Sequence, residues 1–453
     1  MHFDEKPASL SEKELRDSAL FPKGSWWRAL NGYHWFVFIV AALGWLFDTM
    51  DQQLFVLNRV PAMKELVPVE RVAELGSYAT SIFMLGWASG GLIFGVVGDR
   101  FGRAKTMMLT ILLYSLFTGL SAWTQNFWQF ALTRFLTGLG VGGEFAVGVA
   151  LLAEVMPERA RASALGWLQS LSAVGNIAAA VLTMFLHNWR ALFMVGAVPA
   201  LMVLFVMRRL KEPARWQSIA GSAEVKRQLG SYRELFRDPR WRHNALVGLA
   251  LGFAGIVGLW GIGFFSFDLL REVFEPVFKK EGLDDEAIRA RLFTWVGVQS
   301  IMQNLGGFFG IQIYMHLAQR MSRKFAFLVS FLSAIVSTAL TYWYFGKAAG
   351  IYDVFWMIPI MGACQLSLFG GYAIYFPELF PTGLRSTGTS FCYNVGRFIA
   401  AIGPFTLGGL VQYVFAGRPE PMRYSGVAMC LFFFVGLLAL PFAPETKGQP
   451  LPE

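Results

Sequence analysis

Runs of about 20 consecutive, mostly apolar residues recur along nearly the whole chain, and that is the length a helix needs to cross the hydrocarbon core of a bilayer. Twelve can be read. The first six are Trp35–Leu57, Ser77–Val97, Lys105–Trp123, Phe127–Val155, Ala162–Phe185 and Trp189–Met207. The second six are Asn244–Leu270, Phe293–Leu317, Phe325–Trp343, Ile351–Phe376, Ser390–Phe415 and Gly426–Phe442. In lipid every backbone polar group must be satisfied within the spanning structure, so runs of this length predict helices.

The charge content agrees. Of 453 residues, 55% are hydrophobic and 15% charged, against about 25% charged in soluble proteins. Too little charge remains to solvate a surface of this size, so a soluble enzyme is not expected. The first span follows 34 polar, mixed-charge residues without a small-residue cleavage site, unlike a signal peptide. Within that leading segment Ser11–Glu14 reads either as a capping box of a short helix or as part of a disordered tail. With the amino end in the cytoplasm, Lys and Arg favour the cytoplasmic loops roughly two to one, which predicts a multi-pass inner-membrane protein with both termini inside. The net charge of +9 follows from this bias and does not call for nucleic acid. Cys364, Cys392 and Cys430 lie in spans without metal-ligand spacing, and the five histidines are scattered. No cofactor is expected, and neither a nucleotide-binding loop nor a nucleophile motif is present to suggest an enzyme or an ATP-driven pump.

The polar stretch 208–243 divides the spans into six and six. The expected organisation is a cytoplasmic segment 1–34, a bundle 35–207, a linker 208–243, a bundle 244–442 and a tail 443–453. The halves repeat each other. Glu154, Pro157 and Arg161 recur 224 residues later as Glu378, Pro381 and Arg385. Asp99-Arg100-Phe101-Gly102-Arg103 after the second span is echoed 220 residues later by Gln319-Arg320-Met321-Ser322-Arg323. Duplicated six-helix halves predict an all-α membrane protein built of two pseudo-symmetric bundles, with a site at their interface near the midplane.

The run from Gly95 through Asp99, Arg100, Gly102 and Arg103 to Lys105 resembles the loop between the second and third helices of the major facilitator superfamily. Arg134 through Gly142 resembles that family's fourth-helix motif, and Pro444–Gly448 resembles the sequence closing many sugar porters. Asp48-Thr-Met-Asp51 is similar to the Asp-x-x-Asp of aromatic-acid and sialate proton symporters, and Gly143-Glu144-Phe145 to the Gly-Glu-aromatic of the sialate/lactate group. The resemblance implies a conformational latch made by Gly95, Asp99, Arg100, Gly102 and Arg103, joined by Glu154, Arg161, Glu378 and Arg385. A simpler reading of the basic residues is a topology anchor.

Ionisable residues inside a membrane are functional candidates by default. Asp48 and Asp51 are three apart and share a helix face, where joint ionisation of two carboxylates is disfavoured. They read as a proton site, or as wet groups near the outer mouth. Glu144 lies mid-span beyond snorkelling reach and is the main proton-site candidate. Arg134 sits ten residues before it, roughly 15 Å along the axis, and is expected to meet Asp48 or Asp51, as part of proton coupling, substrate binding or a structural ion pair. Arg397 is the one cation inside the second set of spans. Its fork suits a carboxylate, although snorkelling to the cytoplasmic interface would also explain it. Asp268 is expected to be exposed at the end of the seventh span. Gln299, Asn304, Tyr372, Tyr375 and Asn394 are candidates for neutral hydrogen bonds to substrate, and Trp260 for stacking. The function expected is proton-coupled symport of a small carboxylate by a monomeric carrier. A sugar or polyol symporter and an organic-cation exporter are the alternatives.

Overall fold

The structure is a computed structural model that describes residues 26–186, 188–197, 209–220, 229–263, 265–400 and 410–452. The Ser11–Glu14 segment, His187, the end of the sixth expected span and part of the eleventh lie outside these. The molecule is all-α, a twelve-helix membrane protein, and no strand occurs among the described residues. In the first half, α1 (Gly32–Leu66), α2 (Val72–Phe101), α3 (Arg103–Ser121), α4 (Phe127–Val155), α5 (Glu158–Phe185) and α6 (Trp189–Val195) follow the expected spans. Two short linker helices, α7 (Ala214–Ala220) and α8 (Tyr232–Arg237), lead into the second half. There α9 (Pro239–Ile256), α10 (Ser266–Lys280), α11 (Asp285–Arg320), α12 (Arg323–Tyr344), α13 (Met357–Tyr375), α14 (Arg385–Ala400), α15 (Pro421–Met429) and α16 (Phe432–Ala439) complete the set.

Nine helices among the described residues are long and apolar enough to cross a membrane. The spans missing from that count have separate reasons. The sixth and eleventh run into residues outside the description. The eighth, α11, is long enough at 36 residues but carries Gln299, Gln303 and Asn304 on a buried face. Its polarity marks it as a lining helix.

Local signals set the helix ends. Asn31 caps α1 by accepting from the His34 N–H at 2.8 Å, and His34 accepts in return from the Asn31 N–H. Asn126, Asn188, Asp238, Asp284 and Ser322 cap later helices by accepting from first-turn N–H groups, without the reciprocal bond. The seventh span departs from the single helix expected. α9 passes into a π-helical stretch at Val257–Gly263, and α10 carries the chain on to Lys280, ten residues past the expected end. Three glycines in the stretch, Gly258, Gly261 and Gly263, leave room for neighbouring side chains such as Phe433 against Gly258.

Close helix packing repeats between the halves. A Cβ on Gly86, Gly90 or Gly142 of α2 and α4 would land on facing backbone, and so would one on Gly138. Gly306, Gly310 and Gly362 hold the same positions between α11 and α13. They are separated from Gly86, Gly90 and Gly138 by 220, 220 and 224 residues, the same two spacings as the motifs. Small residues at these crossings let backbones touch where lipid supplies no hydrophobic drive between helices. The two bundles meet along two seams, α5 against α11 and α2 against α14.

Candidate functional site

Between the bundles lies a cavity of about 80 Å³. From α1 it is lined by Trp45, Thr49, Gln52, Gln53 and Val56, from α2 by Trp87, and from α5 by Gln169, Ser172 and Asn176. The second half contributes Leu259 and Trp260 of the π-helical stretch, Phe267, Gln303, Asn304, Leu366, Phe369, Tyr393 and Arg397. Among the described lining residues Arg397 is the only charged one.

Arg397 does not snorkel to the interface. Its side chain is 1% exposed, and its guanidinium carbon sits 4.1 Å from the ring centre of Trp87 and 4.1 Å from that of Tyr393. Nη1 donates to the Tyr393 carbonyl at 2.6 Å and to Asn394 Oδ1 at 3.0 Å, while Nε has no hydrogen-bond partner among the described residues. Trp87 belongs to the first half and Arg397 to the second, so this cation–π contact crosses the interface. Trp87 also meets Trp260 edge-on at 5.2 Å, and Phe145 stacks on Tyr393 at 4.0 Å.

The acids of the first half form a separate buried group beside the cavity. Asp48 and Asp51 are essentially unexposed, which removes the wet-mouth reading. Neither oxygen of either carboxylate has a hydrogen-bond partner among the described residues. Asp48 is close enough to Glu144, Asp51 and Arg397 for electrostatic interaction. Glu144 accepts from Thr110 Oγ1 at 3.0 Å and fits into the space left by Gly44 of α1. Arg134 does meet Asp51, at 3.9 Å, and donates to Ser121 Oγ at 2.6 Å. Phe193 lies 4.9 Å from its guanidinium. These contacts keep Arg134 inside the first bundle and away from the cavity, so direct substrate contact does not fit its position.

Other expected ligands also stand apart. Gln299 donates to Ser266 Oγ at 2.7 Å, Tyr372 to the Leu251 carbonyl at 2.7 Å and Tyr375 to the Pro444 carbonyl at 2.6 Å. Each is committed to holding two elements together, and none lines the cavity. Asn394 also lies outside the lining, but it positions Arg397. Asn304 and Trp260 do line it, with Asn304 accepting from Asn176 across the interface at 2.8 Å. Asp268 pairs with exposed Arg271 at 2.6 Å. The residues that were missed, Trp45, Thr49, Gln52, Gln53 and Val56, recur at helical spacing on one face of α1. Gln169, Ser172 and Asn176 do the same on α5. A search for polar stripes of period 3.6 would have found both.

At one end of the two bundles Asp99, Arg103, Glu154 and Arg385 are joined into one network. Asp99 accepts from the Ser386 N–H at 3.2 Å, the Thr387 N–H at 2.8 Å and Thr387 Oγ1 at 2.6 Å, all across the interface. Arg103 pairs with Asp99 at 2.9 Å and Glu154 at 3.1 Å, and Glu154 pairs with Arg385 of the other half at 2.7 Å. In the second half Arg323 pairs with Glu378 at 2.9 Å, the repeat of Arg103 with Glu154. Gln319, at the position equivalent to Asp99, donates to Ser163 Oγ at 2.8 Å. Arg161 donates to the Ala153 carbonyl at 2.9 Å, the repeat of Arg385 donating to the Pro377 carbonyl at 3.2 Å. Gly102 (φ +113°) makes the turn between α2 and α3, and Gly95 packs against Ser390. The linker closes over this network: Glu212 accepts from the Ala104 and Lys105 N–H groups at 3.1 Å, Trp216 donates to the Asp99 carbonyl at 2.7 Å and Arg100 donates to the Leu229 carbonyl at 3.0 Å.

Residues 71–404 match the family model described as Major Facilitator Superfamily. The cis,cis-muconate transport protein of Acinetobacter baylyi is 30% identical over 91% of this chain and 95% of its own. The sialic acid transporter of Escherichia coli (strain K12) is 25% identical over 94% of this chain and 97% of its own. Among solved structures, the proton:xylose symporter XylE bound to 6-bromo-6-deoxy-D-glucose superposes with a TM-score of 0.73 over 92% of this chain and 98% of its own, at 17% identity. At that identity the likeness is one of fold.

Proposed function

Since the chain belongs to the major facilitator superfamily of membrane transporters, we propose that it is a proton-coupled symporter of a small organic anion. The observation that carries this reading is the buried Arg397 guanidinium in a cavity shared by both halves. A buried cation needs an anionic partner, and a substrate carboxylate supplies one. The relatives named for muconate and sialic acid are transporters of organic acids. The amide-rich walls also suit a polyol, but a neutral substrate leaves Arg397 unneutralised. An organic cation would meet Arg397 directly.

In this mechanism Asp48, Asp51 and Glu144 carry the proton. With Asp48 ionised, part of the field of Arg397 is already compensated. Protonation from the outer side removes that negative charge and favours entry of the substrate anion. Arg134 holds Asp51 and positions the group. The network of Asp99, Arg103, Glu154 and Arg385 closes the cytoplasmic side until the bundles rock, and release inside lets the carboxylates deprotonate before the empty carrier resets. The carrier works as a monomer in the inner membrane with both termini in the cytoplasm. In proteoliposomes, uptake of the anion against its gradient is stimulated by external acid, and Glu144→Gln abolishes the pH-driven component while leaving counterflow exchange. Full acid-driven uphill uptake by Glu144→Gln would remove Glu144 from the mechanism.

A further inference from the structure

Five residues lining the cavity each bury a polar atom without a hydrogen-bond partner among the described residues. They are Nε1 of Trp45, Nε1 of Trp87, Nε2 of Gln52, Nε of Arg397 and Oε1 of Gln169. All five side chains are more than nine-tenths buried. Four of the atoms are donors and one is an acceptor. The two amides can exchange their oxygen and nitrogen by turning over, but an indole or guanidinium N–H can only donate. At least three of these unpartnered atoms on lining residues are therefore donors whatever the amides do.

These donors are held rigidly. The Arg397 guanidinium lies between Trp87 and Tyr393. Trp45 packs on Phe145 at 4.9 Å, and Phe145 stacks on Tyr393, so one aromatic chain joins the Trp45 and Arg397 donors. Trp87 is further braced by Phe83 at 5.7 Å and Trp260. A ligand that expels water from such groups must replace each lost bond or lose affinity.

We propose that the substrate is an acceptor-rich organic acid, with a carboxylate for Arg397 and at least one further neutral acceptor, such as a ring or chain carbonyl, for the indole N–H of Trp45 or Trp87. This rests on the carboxylate reading above and narrows it. A simple carboxylate leaves the indole donors unpaired. A hydroxyl brings a proton with every oxygen, and Gln169 Oε1 is the one acceptor among these five atoms.

The test is calorimetric titration of the purified full-length protein with matched acids: cyclohexanecarboxylate against 4-oxocyclohexanecarboxylate, and hexanoate against 5-oxohexanoate. The oxo acid of at least one pair binds about tenfold or more tightly than its parent. That ratio falls toward one in Trp45→Phe or in Trp87→Phe, which keep the ring and remove the donor. Equal binding within both pairs overturns the inference while leaving the carboxylate reading intact, as does a ratio unchanged in both variants. Binding of cyclohexanone or xylose with no binding of any acid overturns the carboxylate reading and this inference with it.

Discussion

Replacing Asp99 by Asn tests the proposed cytoplasmic gate with one atom changed. The carboxylate accepts three hydrogen bonds from Ser386 and Thr387 and pairs with Arg103, all in a fully buried setting. In Asp99→Asn the amide oxygen can keep the two Thr387 bonds. The amide N–H groups then face the Ser386 N–H and Arg103, donor against donor. One charge-assisted bond is lost, about 1.5–3 kcal/mol, together with part of the ion pair. Arg103 retains Glu154, which limits the damage. A net loss of about 3 kcal/mol shifts the balance between closed and open cytoplasmic states by roughly 150-fold. Spin labels on Lys105 and Met321, one in each half at the end that carries this network, report the change as a longer inter-label distance in pulsed dipolar spectroscopy. The substitution leaves the outer side and the cavity untouched. An unchanged distance distribution in a folded Asp99→Asn protein would refute the claim that this network holds the cytoplasmic side shut.

Arg397→Lys keeps a charge but loses the planar fork between Trp87 and Tyr393, and it is expected to weaken binding of the proposed acid substrate by about 30-fold or more, read by calorimetry. Gly90→Ala and Gly310→Ala place a methyl group against facing backbone at equivalent crossings. Each is expected to cost about 1–3 kcal/mol or more and to lower the midpoint of thermal unfolding in detergent, whereas Gly417→Ser, in an open turn without a positive φ, is expected to change it far less. Burial would raise the carboxyl of Glu445, but the N–H groups of Arg323, Lys447 and Lys324 outweigh burial and hold it below its ordinary range. Its contribution to docking of the carboxyl-terminal tail is therefore complete above the ordinary glutamate range, about 4.3, and is lost as pH falls through the depressed value. The protection factors of the amides in residues 443–452, corrected for the intrinsic pH dependence of exchange, should fall on acidification, and Glu445→Gln should remove that dependence.

Much of the plan was legible because lipid imposes simple rules. Span length and the two motif repeats depend on local composition and order along the chain, and the structure carries the same 220- and 224-residue spacings into its glycine crossings and Arg–Glu pairs. The listing of intramembrane charges was also informative, since Asp48, Asp51, Glu144, Arg134 and Arg397 are all buried. Their division between two groups was not legible. Arg134 and Arg397 look alike in sequence, each a lone cation in an apolar run. One is enclosed by Ser121, Phe193 and Asp51 within a bundle, and the other opens into the shared cavity. Tyr372 and Gln299 failed as ligands for a similar reason. A buried polar group satisfies itself with whatever packs against it, and that neighbour comes from a distant segment.

A two-fold repeated bundle of membrane helices is already written into the order of residues along this chain, because the hydrophobic effect and backbone satisfaction act within each segment. Which face of each helix meets the other half is set by packing between the folded bundles. That choice made a cavity of amides and tryptophans around Arg397, set the acids beside it and tied Asp99 and Glu154 to α14 and its leading Arg385. Side-chain partners across the bundle interface are fixed by packing between residues hundreds of positions apart, and no local pattern encodes them.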